Sequence, residues 1–101
     1  MSTVQAQHAH WFIRSRLKTR QLLLLAKRDE ERNTHRASAA MAMTQPAASK
    51  LLKETEEALG ASLFDRLPRG VEPTPYGEIM SRHARKMLAH LSEAKEEINI
   101  L

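Results

Sequence analysis

The 101-residue chain contains no cysteine, so neither a disulfide framework nor a thiolate metal site is open to it. That absence fits a reducing compartment, and a cytoplasmic location is expected. Aromatic residues are scarce: Trp11, Phe12, Phe64 and Tyr76 are the whole set. With an apolar share of 42%, the core must be built from Leu, Ala, Met and Ile, which favours helices over sheet. Long hydrophobic runs are missing too. The longest, Leu22 to Ala26, is far too short to cross a bilayer, and no basic segment leads into an apolar stretch and cleavage site at the N-terminus. A soluble, unsecreted protein with no membrane partner is expected. No carboxylate pair with a histidine, glycine-rich phosphate loop or metal-ligand set stands out, so neither an enzyme nor a cofactor is expected. His8 and His10 could touch a metal, but without carboxylate or thiol companions they make a poor site.

What is present is positive charge in one half. The chain carries a net +4, and between Met1 and Lys53 ten Lys/Arg face three Asp/Glu, whereas between Glu54 and Leu101 six face nine. Such asymmetry predicts a polyanion footprint, nucleic acid first and anionic membrane second, with a solvated basic surface as the alternative. The length allows one small domain with a modest core.

Met1 to Ser15 shows no sustained periodicity and reads as a loose arm, with Trp11 and Phe12 touching the domain. A first helix is predicted over Leu17 to Glu30, with Leu22, Leu25 and Ala26 inward, and Asn33 caps a second over Thr34 to Ala42. Thr44 caps a third, Gln45 to Leu59, because Pro46 is tolerated only in a first turn and Gly60 suits a left-handed end. Two short helices joined this tightly form a helix-turn-helix, although the usual turn glycine is missing. On a helical wheel Ala48, Leu51, Leu52, Thr55 and Leu59 face the core. Pro46, Ser49, Lys50, Lys53 and Glu57 face outward, and with Gln45 they suit a major groove, the amide and hydroxyl for base edges and the lysines for guanine or phosphate.

After Gly60, Leu63-Phe64 and Val71-Glu72 read as short strands around a turn from Leu67 to Gly70, making a wing with Arg66 and Arg69 at its tip. Thr74 then caps a long last helix, Pro75 to Leu101. Its residues Met80, Ala84, Met87, Leu91, Ala94, Ile98 and Leu101 recur at alternating spacings of four and three, the seam of helices that pair in a coiled coil. His83 and His90 lie on its flank.

Thr44-Gln45-Pro46-Ala47 with Ser49-Lys50, Leu59-Gly60 before Leu63-Phe64-x-Arg66, and Arg69-Gly70 with Thr74-x-x-Gly77 together resemble the DNA-binding domain of a LysR-type transcriptional regulator, from about Leu17 to Leu101. The resemblance implies a mainly α fold: a flexible arm (1–15), a winged helix-turn-helix with a small β-hairpin wing (16–74) and a long dimerisation helix (75–101). It implies sequence-specific binding of double-stranded DNA at an interrupted palindrome by a homodimer, with a tetramer in the full-length regulator. A small-molecule effector would bind only through a domain beyond residue 101, so the chain is read as a DNA-binding part. The expected DNA contacts are Asn33, Thr34, Arg36, Thr44, Gln45, Pro46, Ser49, Lys50, Lys53, Arg66 and Arg69. Thr34 and Thr55 stand where an apolar residue is usual, Leu25 where an aromatic is common and Arg32 where glycine is usual; each threonine is expected to loosen the core. The competing reading is a basic helical protein-interaction module dimerised through its last helix.

Overall fold

The computed structural model describes residues 17–101, in the order α1 (Thr19–Glu31), α2 (Thr34–Ala40), α3 (Gln45–Leu59), β1 (Phe64–Leu67), β2 (Gly70–Pro73) and α4 (Pro75–Ile100). The expected arm, with its aromatic contacts and histidine pair, lies outside the described residues. The backbone N–H of Lys18 donates to Gln21 Oε1 at 2.7 Å, which starts α1 two residues later than expected. Because α1 packs against α2, α3 and α4 together, its buried face is wider than the expected stripe. Leu24 and Leu25 are fully buried and Leu22 only half-buried. Arg32 closes α1 in the left-handed region at φ 56°, its N–H donating to the Arg28 carbonyl at 2.8 Å.

Asn33 Oδ1 accepts from the Arg36 N–H at 2.9 Å and starts α2 as expected, but the helix stops at Ala40. Ala42 then turns left-handed, φ 54°, and lets the Met43 N–H reach the Ser38 carbonyl at 2.8 Å. An alanine therefore holds the conformation for which a turn glycine is usual. α3 has the bounds read from its sequence, with Thr44 Oγ1 accepting from the Ala47 N–H at 3.2 Å and Gly60 at φ 68°.

Around α1, α3 and the start of α4 the core gathers Leu24, Leu25, Ala37, Ala48, Leu52, Leu63 and Ala84. Three of these are alanines, which lets the helices approach closely, while each buried leucine contributes about 1.5–3 kcal/mol. The threonines do not leave loose polar ends in it. Thr55 is fully buried, but its hydroxyl donates to the Leu51 carbonyl at 2.8 Å, and Thr34 Oγ1 accepts from Arg28 Nε at 3.3 Å. Among the described residues no buried side-chain nitrogen or oxygen lacks a partner.

The hairpin pairs antiparallel, from Phe64 opposite Pro73 to Leu67 opposite Gly70, so the turn is tighter than expected and only Pro68 and Arg69 lie outside the ladder. Arg66 consequently sits within β1 opposite Val71, and Arg69 alone of the two arginines is at the tip. Glu56 of α3 fixes the entry to the wing, its Oε2 accepting from the N–H groups of Leu63 at 2.7 Å and Phe64 at 3.3 Å. At the exit, the Thr74 hydroxyl donates to the Ser62 carbonyl at 2.6 Å and accepts from the Gly77 N–H at 3.1 Å. A Cβ on Gly77 would lie 2.0 Å from the Leu63 carbonyl oxygen, so glycine is required by close approach of two backbones.

The expected seam on α4 divides at this junction. Ala84 is fully buried in the domain's own core, and Met80 packs half-buried against it. The cause is that α4 leans its first three turns, through Gly77, Ser81 and Ala84, on the helices behind it. Beyond them Met87, Leu91, Ala94, Ile98 and Leu101 are exposed. Among the described residues no helix is long and apolar enough to cross a membrane.

Candidate nucleic-acid interface

α3 presents its N-terminal turns beside the wing, and a cleft of about 240 Å³ runs between them. Of the expected contacts, Thr34, Gln45, Ser49, Lys53 and Arg66 line this cleft, with Leu52, Glu56, Phe64 and Val71 as its remaining walls. Asn33, Arg36, Thr44, Pro46, Lys50 and Arg69 lie outside it, all exposed. Pro46 is in the first turn of α3, where its missing N–H leaves no gap in the helix ladder. Asn33 and Thr44 already spend a side-chain oxygen on capping α2 and α3.

The cations of this face are not held in ion pairs. Among the described residues the ion pairs are Lys27–Glu30, Arg32–Asp29, Arg32–Glu78 and Arg85–Asp29, with His90 Nδ1 3.5 Å from Glu93, and they occupy α1, its cap and α4. Arg36, Lys50, Lys53, Arg66 and Arg69 take part in none of them. Exposed cations that no carboxylate holds in an ion pair can meet a polyanion, and the amide and hydroxyl among them can hydrogen-bond a base edge. Among the described residues no group of three or more His, Cys, Asp or Glu could hold a metal ion.

Two residues that shape this face escaped the sequence reading. Arg28 is only 4% exposed: its guanidinium donates to Thr34 Oγ1 and to the Val71 carbonyl, and lies 5.0 Å from the centre of the Phe64 ring. It joins α1 to α2 and to both strands of the wing. Burial, and then the nearby charge of Arg32, push its pKa below the ordinary value. His35 lies beside Gln45, its Nδ1 3.3 Å from Gln45 Oε1. Both were hidden by their company, Arg28 in a charged run and His35 among small helical residues, and no spacing rule marks either.

A three-helix unit with a two-stranded wing and this exposed face invites comparison with known proteins. The family model for bacterial regulatory helix-turn-helix proteins of the lysR family matches residues 19–78. The chain belongs to the LysR family. This LysR-family domain is 57% identical over 93 residues to the HTH-type transcriptional regulator GbpR of Azospirillum brasilense, covering 92% of this chain and 27% of that protein. It therefore spans about a quarter of the length of the curated relatives it matches. In structure it resembles the BenM DNA-binding domain solved with catB site 1 DNA, with a TM-score of 0.76, 26% identity, and coverage of 82% of this chain and 93% of that one. It also resembles the CbnR DNA-binding domain in complex with DNA, with a TM-score of 0.74, 25% identity, and coverage of 83% and 97%. The winged helix-turn-helix expected of this LysR-family domain is thus the observed fold.

Proposed function

We propose that this LysR-family domain binds double-stranded DNA sequence-specifically as a homodimer and so regulates transcription. In this reading α3 enters the major groove, where Gln45 and Ser49 meet base edges and Lys50 and Lys53 reach guanine or phosphate. Asn33, Thr34, Thr44 and Arg36 border the phosphate backbone, and the wing, through Arg66 and Arg69, lies on the adjacent minor groove. Residues 16–74 carry these contacts, while 75–101 form the linker helix whose exposed apolar side meets a second copy. A dimer of this kind reads two half-sites of an interrupted palindrome. Because the relatives are much longer than this chain, we assign effector binding and assembly to a tetramer to sequence outside this domain.

The observation that carries the reading is one cleft that brings the unpaired cations Lys53 of α3 and Arg66 of the wing together with Gln45 and Ser49, while Arg36, Lys50 and Arg69 are exposed outside it. The test is to select duplexes from a random pool with the purified domain, then titrate a selected and a random duplex over a range of salt. Affinity should fall with salt on both, and the selected duplex should keep an advantage of about a thousandfold or more. Equal affinity for the two would leave the protein-interaction module as the better reading.

A further inference from the structure

His35 is the second residue of α2 and Gln45 the first of α3, and they meet across the turn of the helix-turn-helix. His35 Nδ1 lies 3.3 Å from Gln45 Oε1. With Oε1 as the near atom the bond requires the Nδ1–H tautomer, because an amide oxygen only accepts. Both partners are anchored at their main chains. The hydroxyl of Ser38, itself buried, donates to the His35 carbonyl at 2.7 Å, and the Thr44 cap sets the backbone at which Gln45 begins.

The bond decides which end of the Gln45 amide faces outward. A glutamine at a free helix end can turn either its oxygen or its nitrogen to a base edge, and so accepts as readily as it donates. With Oε1 drawn toward α2, the NH₂ group is the end left for the groove. Two donors match the edges that carry acceptors: N7 and O6 of guanine, N7 of adenine and O4 of thymine.

We propose that His35 is a positioning residue that sets the base preference of α3 by holding Gln45 as a hydrogen-bond donor. The inference rests on the reading of α3 as the helix that enters the groove. His35 needs no contact with DNA for this role, so its effect must appear only where Gln45 acts.

The experiment measures binding of the full chain to duplexes that vary one base pair at a time across a selected site. Gln45→Ala, His35→Phe, His35→Asn and the double variant Gln45→Ala/His35→Phe are compared. Phenylalanine keeps a flat ring without the donor; asparagine places an amide N–H close to where Nδ1 stood. Gln45→Ala should flatten one position. His35→Phe should reduce discrimination at that same position by about three- to tenfold, the worth of one hydrogen bond, with little change elsewhere. His35→Asn should restore most of it, and the double variant should match Gln45→Ala alone. If Gln45→Ala flattens a position that His35→Phe leaves intact, or if His35→Phe weakens every duplex equally, the positioning role is wrong. Failure of His35→Asn to restore the preference would equally overturn a role based on the donor. If Gln45→Ala flattens no position, the reading of α3 itself falls and takes this proposal with it.

Discussion

The guanidinium of Arg28 donates to the main-chain carbonyl of Val71, 43 residues further along the chain, and thereby ties the first helix to the returning strand of the wing. The same group donates to Thr34 and covers the Phe64 ring, so a single side chain sets the distance between α1, α2 and the hairpin. Arg28→Met keeps most of the volume but removes every one of these donors. It should destabilise the domain by about 1–3 kcal/mol, since the Val71 carbonyl and Thr34 hydroxyl lose a charged partner. Denaturant unfolding measures the loss, and amide exchange should rise in β1 and β2 before it rises in α3.

Ala42 occupies the left-handed region, which disfavours an L side chain by roughly 1–2 kcal/mol. Ala42→Gly should therefore raise stability by up to about 1 kcal/mol after the added freedom of the unfolded chain is subtracted. Thermal and denaturant midpoints should both move upward with an unchanged circular dichroism spectrum. A lower midpoint would mean that the turn does not hold this conformation in solution.

Gly77→Ala drives a methyl group into the Leu63 carbonyl, a backbone atom that cannot rotate away. Destabilisation of about 1–3 kcal/mol or more is expected, because α4 must shift from the foot of the wing. Ala89→Gly, at an exposed position on the same helix, serves as a control and should weaken the fold only through helix propensity, by about 1 kcal/mol or less.

Leu91 is 61% exposed within the chain, so Leu91→Glu should leave the domain folded. If Leu91 meets its counterpart in a second copy, the new carboxylate enters an apolar seam, where an unpaired charge costs several kcal/mol. Sedimentation should then report monomers, and binding to a full palindrome should drop to that of a half-site. Retained dimers with undiminished preference for the full site would place the interface elsewhere on α4.

The parts of the fold that local chemistry controls were legible in the sequence. Thr44, Pro46 and Gly60 bound α3 because capping, a first-turn proline and a left-handed end are decided within a few residues. Thr74 and Pro75 did the same for α4. What depends on distant partners was not legible. The heptad spacing of α4 is real, yet a repeat cannot say that Ala84 is claimed by the domain's own core while Leu91 is left outside. Thr34 and Thr55 looked like defects because their partners, the Arg28 guanidinium and the Leu51 carbonyl, belong to geometry rather than to composition. At the candidate interface, the outward chemistry of α3 followed from its wheel. Arg66 was misplaced at the wing tip because its position is fixed by hairpin register, and register is a property of two strands together.

The hydroxyl of Thr74 grips Ser62 ahead of the wing and Gly77 inside α4 at once, which makes wing and helix a single angle bracket. α4 extends from that bracket for 26 residues, about 39 Å at 1.5 Å per residue. Because the first three turns of α4 rest on the core, a displacement of a few ångströms at its far end turns the domain and its wing together by only a few degrees, so whatever holds the distal end sets the direction of the hairpin finely.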